Sequence, residues 1–221
     1  KDYDLTDLQQ VRDMMNEEKP NSVIHLAARV GGIVDNINYP VDYLEENVLM
    51  NTNVLKACHE FDVEKVIAIL STCVYPDVVE TYPMKEEDLF NGPPTPTNFS
   101  YGFAKRCMAT HIDSYKKQYN KKWSYLIPCN LYGEYDKYDI VGSFNVAPEW
   151  VHSINDLAEI GKKACLKDEI VVNYDNDKPD GQFRKDVDSS KLLAVLKDFE
   201  FTPLGEGIKK VYDNFSKRYN R

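Results

Sequence analysis

Short apolar runs alternate with longer stretches of helical spacing along this chain, and that alternation constrains its fold more than any single residue does. Val23-Ile24-His25-Leu26-Ala27, Val66-Ile67-Ala68-Ile69-Leu70 and residues 123–128 each read as a strand. Between the first two, residues 39–61 place Leu44, Val48, Leu55 and Ala57 on one helical face. Strands that alternate with helices specify a parallel sheet with helices packed on it, and an uninterrupted apolar run such as 66–70 suits a strand covered on both faces. The Pro-rich stretch Asn91-Gly92-Pro93-Pro94-Thr95-Pro96-Thr97 predicts an extended loop before a helix that carries Tyr101 and Lys105 and runs toward Tyr119. From Ser153 the signals change. Ser153-Ile154-Asn155-Asp156 opens a helix, 169–174 reads as a strand and 203–219 as a closing helix. The expected architecture is a doubly wound parallel α/β sheet over residues 1–141, followed by a smaller carboxyl-terminal α/β domain over residues 142–221.

The strand at 66–70 runs into Ser71-Thr72-Cys73-Val74-Tyr75, and the helix beyond the Pro-rich loop begins Ser100-Tyr101-Gly102-Phe103-Ala104-Lys105. Ligands of α/β sheets gather at the carboxyl ends of strands, which is where Ser71 falls. Tyr101 and Lys105 stand four residues apart, just over one helical turn, and so share a face. A lysine cation beside a phenol favours the phenolate, which brings a group that ordinarily titrates near about 10 closer to neutral pH. A Tyr-x-x-x-Lys pair by itself is weak evidence, since two solvated neighbours on a helix look the same. The strand-terminal serine and the Asn130-Leu131-Tyr132-Gly133 segment after the next strand raise its weight, and together they suit the reduction of a carbonyl.

The combination resembles the extended short-chain dehydrogenase/reductases, and within them the GDP-L-fucose synthases. His25-Leu26-Ala27-Ala28-Arg29-Val30-Gly31-Gly32-Ile33 is similar to that family's HLAA-x-VGG segment, and Ser71-Thr72-Cys73-Val74-Tyr75-Pro76 to its S-(S/T)-C-(I/V)-(Y/F)-P segment. Pro128-Cys129-Asn130-Leu131-Tyr132-Gly133 resembles PTNLYG, and Lys178-Pro179-Asp180-Gly181-Gln182-Phe183-Arg184-Lys185 resembles KPDG-x-x-x-K. The resemblance implies a Rossmann-type sheet with a carboxyl-terminal substrate domain. It also implies conversion of GDP-4-keto-6-deoxy-D-mannose to GDP-L-fucose by 3,5-epimerisation and NADPH-dependent 4-reduction. In that reading Cys73 is one member of the epimerising acid/base pair, Tyr101 protonates the reduced oxygen, Ser71 hydrogen-bonds it, and Lys105 tunes Tyr101 and holds the cofactor ribose. The outside-family alternative for Cys73 is a buried structural cysteine. Cofactor contacts fall on Asp4, Leu5, Ala27, Ala28, Tyr101, Lys105, Asn130 and Leu131, and substrate contacts on Asn130, Lys178 and Asp180. Asp4 also reads as a helix cap ahead of residues 5–15, and Asn130 and the Lys-Pro-Asp-Gly stretch as ordinary turn residues. Residues 40–60 and 98–119 resemble the helices of the family's dimer interface, so a homodimer is expected.

Two family features have no counterpart here. None of the ten glycines gives the Gly-x-x-Gly-x-x-Gly turn whose N–H groups and helix dipole hold a pyrophosphate, so these residues alone are expected to bind NADP(H) poorly. None of His25, His59, His111 and His152 matches the family's acid/base histidine, whose segment is missing between Asp136 and Phe144. A longer enzyme fits better than a shortened one, because a sheet without its first strand exposes an edge. Two other readings compete: a nucleotide-sugar 4-epimerase or 4,6-dehydratase, and a non-catalytic scaffold. Thr72-Cys73 stands where a dehydratase has acidic residues, and joint retention of Ser71, Cys73, Tyr101 and Lys105 argues against decay.

The formal net charge of −9 disfavours nucleic acid. No apolar stretch approaches the length of a membrane span, and the start Lys1-Asp2-Tyr3-Asp4 is polar rather than signal-like. Five cysteines without a C-x-x-C pair fit reduced thiols in a cytoplasmic protein and predict no structural metal.

Overall fold

The computed structural model describes residues 3–129, 143–148, 150–167, 169–173, 175, 177 and 181–219. Four strands, β1 (Ser22–His25), β2 (Lys65–Ile69), β3 (Ser124–Pro128) and β4 (Ser143–Val146), form one sheet in the order β1-β2-β3-β4, every pair parallel. Parallel neighbours need a crossover. The helices α2 (Ile33–Asn38) and α3 (Pro40–Glu60) cross from β1 to β2, and α4 (Phe99–Tyr119) crosses from β2 to β3. The helix α1 (Leu8–Glu18) precedes β1, while α5 (Ile154–Ala164), α6 (Ser190–Val195) and α7 (Leu204–Tyr219) follow the sheet.

Local chemistry sets these boundaries. Asp7, not Asp4, caps α1, its carboxylate accepting from the N–H groups of Gln9 and Gln10. Asp4 instead accepts from the Thr6 N–H at 2.9 Å and hydroxyl at 2.7 Å, closing a turn just ahead of the helix. Pro40 opens α3, where its fixed φ suits a first turn and its missing N–H goes unneeded.

The core lies where α1, α3 and α4 meet the sheet. Val11, Met15, Leu55, Val66, Ala68, Met108, Ile112, Trp123 and Ile127 all pack in one buried cluster. Trp123 is fully enclosed and still donates its indole N–H to the Val63 carbonyl at 3.3 Å, so its one polar atom is satisfied.

The region after the sheet departs from expectation. Residues 169–173 form no strand, and Val171 is 80% exposed. Glu169-Ile170-Val171-Val172-Asn173 has the composition of a strand, but a strand needs a neighbouring ladder, and none among the described residues provides one. The six-residue α6 was not expected, being too short for a periodic signal. The helices α5 and α7 pack against each other.

Candidate active site

Ser71, Cys73, Tyr101 and Lys105 converge at the carboxyl end of β2. Ser71 caps a short 3-10 turn, Thr72–Val74, and its Oγ accepts the Cys73 N–H at 3.4 Å, which fixes hydroxyl and thiol on one small loop. The start of α4 packs directly on that loop. Gly102 makes the approach possible: a Cβ there would lie 2.7 Å from the Cys73 carbonyl oxygen and 2.8 Å from Pro94 Cβ. Arg106, one turn later, donates Nε to the Val74 carbonyl at 2.5 Å and locks helix to turn.

Lys105 is buried, and among the described residues its ammonium makes one hydrogen bond, to the Ile69 carbonyl at 2.8 Å. Its Nζ lies 5.7 Å from the centre of the Tyr101 ring. Burial pulls Lys105 down to about 8, so it remains mostly cationic at neutral pH. The expectation that Lys105 would depress Tyr101 fails in the free protein. Burial, followed by the charges of Cys73 and Tyr43, pushes the Tyr101 phenol up to about 12. Loss of hydration disfavours the phenolate, and it is the largest of these effects. Tyr101 therefore stands protonated, ready to donate.

Several neighbours escaped the sequence reading. His25, at the end of β1, is buried against α3 with Nε2 2.9 Å from Asn51 Oδ1, an acceptor to which the ring N–H donates. Burial, with a smaller contribution from the Lys105 charge, lowers His25 to about 4. Asn98 donates Nδ2 to Cys73 Sγ at 2.9 Å, and Lys185 Nζ lies 3.9 Å from the same sulfur. Lys185 ends the KPDG-x-x-x-K segment, and that position is its signal in the sequence. His25 opens the HLAA-x-VGG segment, whereas no sequence pattern marks Asn98.

Among the residues expected at the cofactor, Ala27 and Ala28 sit half-buried in the loop after β1. That loop is pinned by Asn47, which exchanges hydrogen bonds with the Arg29 backbone at 3.0 and 3.1 Å. Asn36 Nδ2 holds the Gly31 and Gly32 carbonyls, and any side chain at Gly31 would strike the Tyr43 hydroxyl, 2.1 Å away. Leu5 packs on the core and Asp4 is exposed. Asn130, Leu131, Lys178 and Asp180 lie outside the described residues.

These groups fit a nicotinamide dinucleotide. An ammonium carries three donors, and Lys105 commits one of them among the described residues while being buried without a carboxylate, as a group awaiting ribose hydroxyls would be. The described residues contain no set of three His, Cys, Asp or Glu side chains able to hold a metal, and no helix long and apolar enough to cross a membrane.

Residues 1–174 match the NAD dependent epimerase/dehydratase family. A GDP-L-fucose synthase of Dictyostelium discoideum is 31% identical over 99% of this chain and 85% of its own. A probable GDP-L-fucose synthase of Drosophila melanogaster is 36% identical over 90% of this chain but 62% of its own. The crystal structure of a GDP-L-fucose synthetase from Naegleria fowleri bound to NADP superposes with a TM-score of 0.85 at 28% identity, covering 99% of this chain and 83% of that one.

Proposed function

Because this chain belongs to the NAD dependent epimerase/dehydratase family, among its GDP-L-fucose synthases, we propose that it converts GDP-4-keto-6-deoxy-D-mannose to GDP-L-fucose by 3,5-epimerisation and reduction at C4. The observation that carries the proposal is the convergence of Ser71, Cys73, Tyr101 and Lys105 at one strand end.

C3 and C5 flank the C4 ketone, so enolate delocalisation acidifies their protons. Cys73 is one member of the acid/base pair that removes and replaces them, with its backbone fixed by the Ser71 cap. NADPH, when bound, would supply the hydride to C4. Tyr101, held protonated by burial, gives its proton to the oxygen that gains charge at C4. Ser71 hydrogen-bonds that oxygen. The Lys105 cation near the ring stabilises the phenolate left behind, and the donors it does not commit among the described residues would hold the ribose. Asp4, Leu5, Ala27, Ala28, Asn130 and Leu131 complete the cofactor path, and Asn130, Lys178 and Asp180 meet the sugar nucleotide.

Residues 1–141 form the cofactor domain together with β4, which joins its sheet, and 142–221 are otherwise mainly the substrate domain. The helices α3 and α4 leave Val41, Leu44, Leu49, Phe99 and Phe103 exposed, which supports a homodimer built on that pair. Five free cysteines support a cytoplasmic enzyme. Incubation with NADPH and GDP-4-keto-6-deoxy-D-mannose should consume NADPH and yield GDP-L-fucose by NMR. A product that keeps the mannose configuration at C3 and C5, or no NADPH consumption, overturns the reading.

A further inference from the structure

We propose that Asn98 and Lys185 are positioning residues for Cys73, two donors that hold its sulfur in the state that removes a carbon-bound proton. The inference rests on the reading of Cys73 as an epimerising acid/base group.

Asn98 stands at the N-terminal boundary of α4, where an asparagine ordinarily accepts a helix N–H through its side chain. Here no side-chain cap bond forms, and the amide turns away from the helix to donate Nδ2 to Cys73 Sγ at 2.9 Å. Its Oδ1 is buried without a hydrogen-bond partner among the described residues. An amide that forgoes its local role and leaves its oxygen unsatisfied is held there by something else, and the sulfur is the partner it has. The same side chain, turned over, would present Oδ1 to an S–H. One residue can thus meet the thiolate as a donor and the thiol as an acceptor, which suits a group that must both take and return a proton.

Lys185 reaches the sulfur from the far end of the chain. Its segment is docked on both sides of the lysine: Gln182 donates Nε2 to the Pro76 carbonyl at 3.1 Å, and the Asp186 carbonyl and Asp188 N–H pair with Met84 at 3.0 and 2.8 Å. Arg184, next to it, is committed to a two-pronged ion pair with Asp186 at 2.6 and 2.8 Å. Lys185 has no carboxylate partner among the described residues, so its charge faces Cys73 at 3.9 Å uncompensated. Among the described residues Tyr101 also faces the sulfur; its own shift includes the Cys73 charge, and it stands protonated and neutral. A cation and an amide donor directed at one sulfur favour the thiolate.

The test is the pH profile of Cys73 alkylation by iodoacetamide in the free protein, read at that residue by mass spectrometry. Asn98→Ala and Lys185→Gln should each slow alkylation at neutral pH by about three- to tenfold and move the profile to higher pH, because each removes a group that favours the thiolate. Lys185→Arg should restore most of the rate, and Asn98→Asp should slow it further. Deuterium uptake from D2O at C3 and C5 should fall in parallel with alkylation. Unmoved profiles in Asn98→Ala and Lys185→Gln overturn the proposal, even where Cys73→Ser abolishes deuterium uptake. If instead Cys73→Ser leaves uptake intact, the acid/base reading fails on its own, and shifted alkylation profiles still uphold the two donors. Should Asn98→Ala fail to fold, the Lys185→Gln and Lys185→Arg pair decides.

Discussion

Tyr101 and Lys105 are a local pair on one helix, whereas Cys73 is held by Asn98 and by Lys185, the latter 112 positions away. The two halves of the site also differ in what governs their chemistry. Around Tyr101, Lys105 and His25, burial dominates: it keeps the phenol protonated, weakens the ammonium and keeps the imidazole neutral. Around Cys73, two donors are directed at a sulfur that remains part-exposed. Burial suits a group that must hold its proton until an alkoxide develops, and donors suit a sulfur that must give its proton up.

The comparison breaks if the buried half is not the proton donor. Tyr101→Phe keeps the ring and removes only the hydroxyl, so NADPH oxidation should fall by about 10³-fold, within the range for loss of a general acid, with the melting temperature little changed. A loss of tenfold or less would mean that another group protonates C4.

The burial argument is sharpened at His25. Its imidazole titrates near 6.5 when unfolded and at about 4 when folded, so the unfolded chain binds the extra proton between those values. The stability is present in full above pH 6.5 and is lost as pH falls through about 4, a difference of roughly 3 kcal/mol. Denaturant unfolding of His25→Gln should show a flatter acid limb than the unaltered protein. An unchanged slope would show that His25 is not the buried neutral group described here.

The smallest effect tests the contact that joins the halves. Gly102→Ala places a methyl group 2.7 Å from the Cys73 carbonyl and should destabilise by about 1–3 kcal/mol as α4 moves off the turn. Both deuterium exchange and NADPH oxidation should fall, since the thiol and the phenol separate together. A variant with full activity would show that the two halves do not depend on that close approach.

What the sequence made legible follows the same division. The alternation of apolar runs and helical spacing placed β1, β2, β3, α3 and α4, because buried parallel strands and crossover helices leave strong periodic signals. Tyr101 and Lys105 were legible because four residues on a helix fix their geometry. Lys185 was legible only as the end of a motif and Asn98 not at all, because their places beside Cys73 depend on a segment docking at Pro76 and Met84 and on a helix boundary left uncapped. The sign of the Tyr101 shift was misjudged for a related reason, since spacing reveals a neighbouring cation but not the loss of solvent. The stretch 169–173 misled because its composition suits a strand for which no partner strand is described.

The central claim is that one site performs proton exchange and reduction with different residues. The most direct test follows GDP-4-keto-6-deoxy-D-mannose with NADPH in D2O, recording deuterium at C3 and C5 and NADPH oxidation in the same samples. Tyr101→Phe should retain deuterium uptake and lose oxidation, and Cys73→Ser should lose uptake and retain oxidation. If either variant loses both together while folded, or if Cys73→Ser still exchanges, the division of labour between the two halves is contradicted.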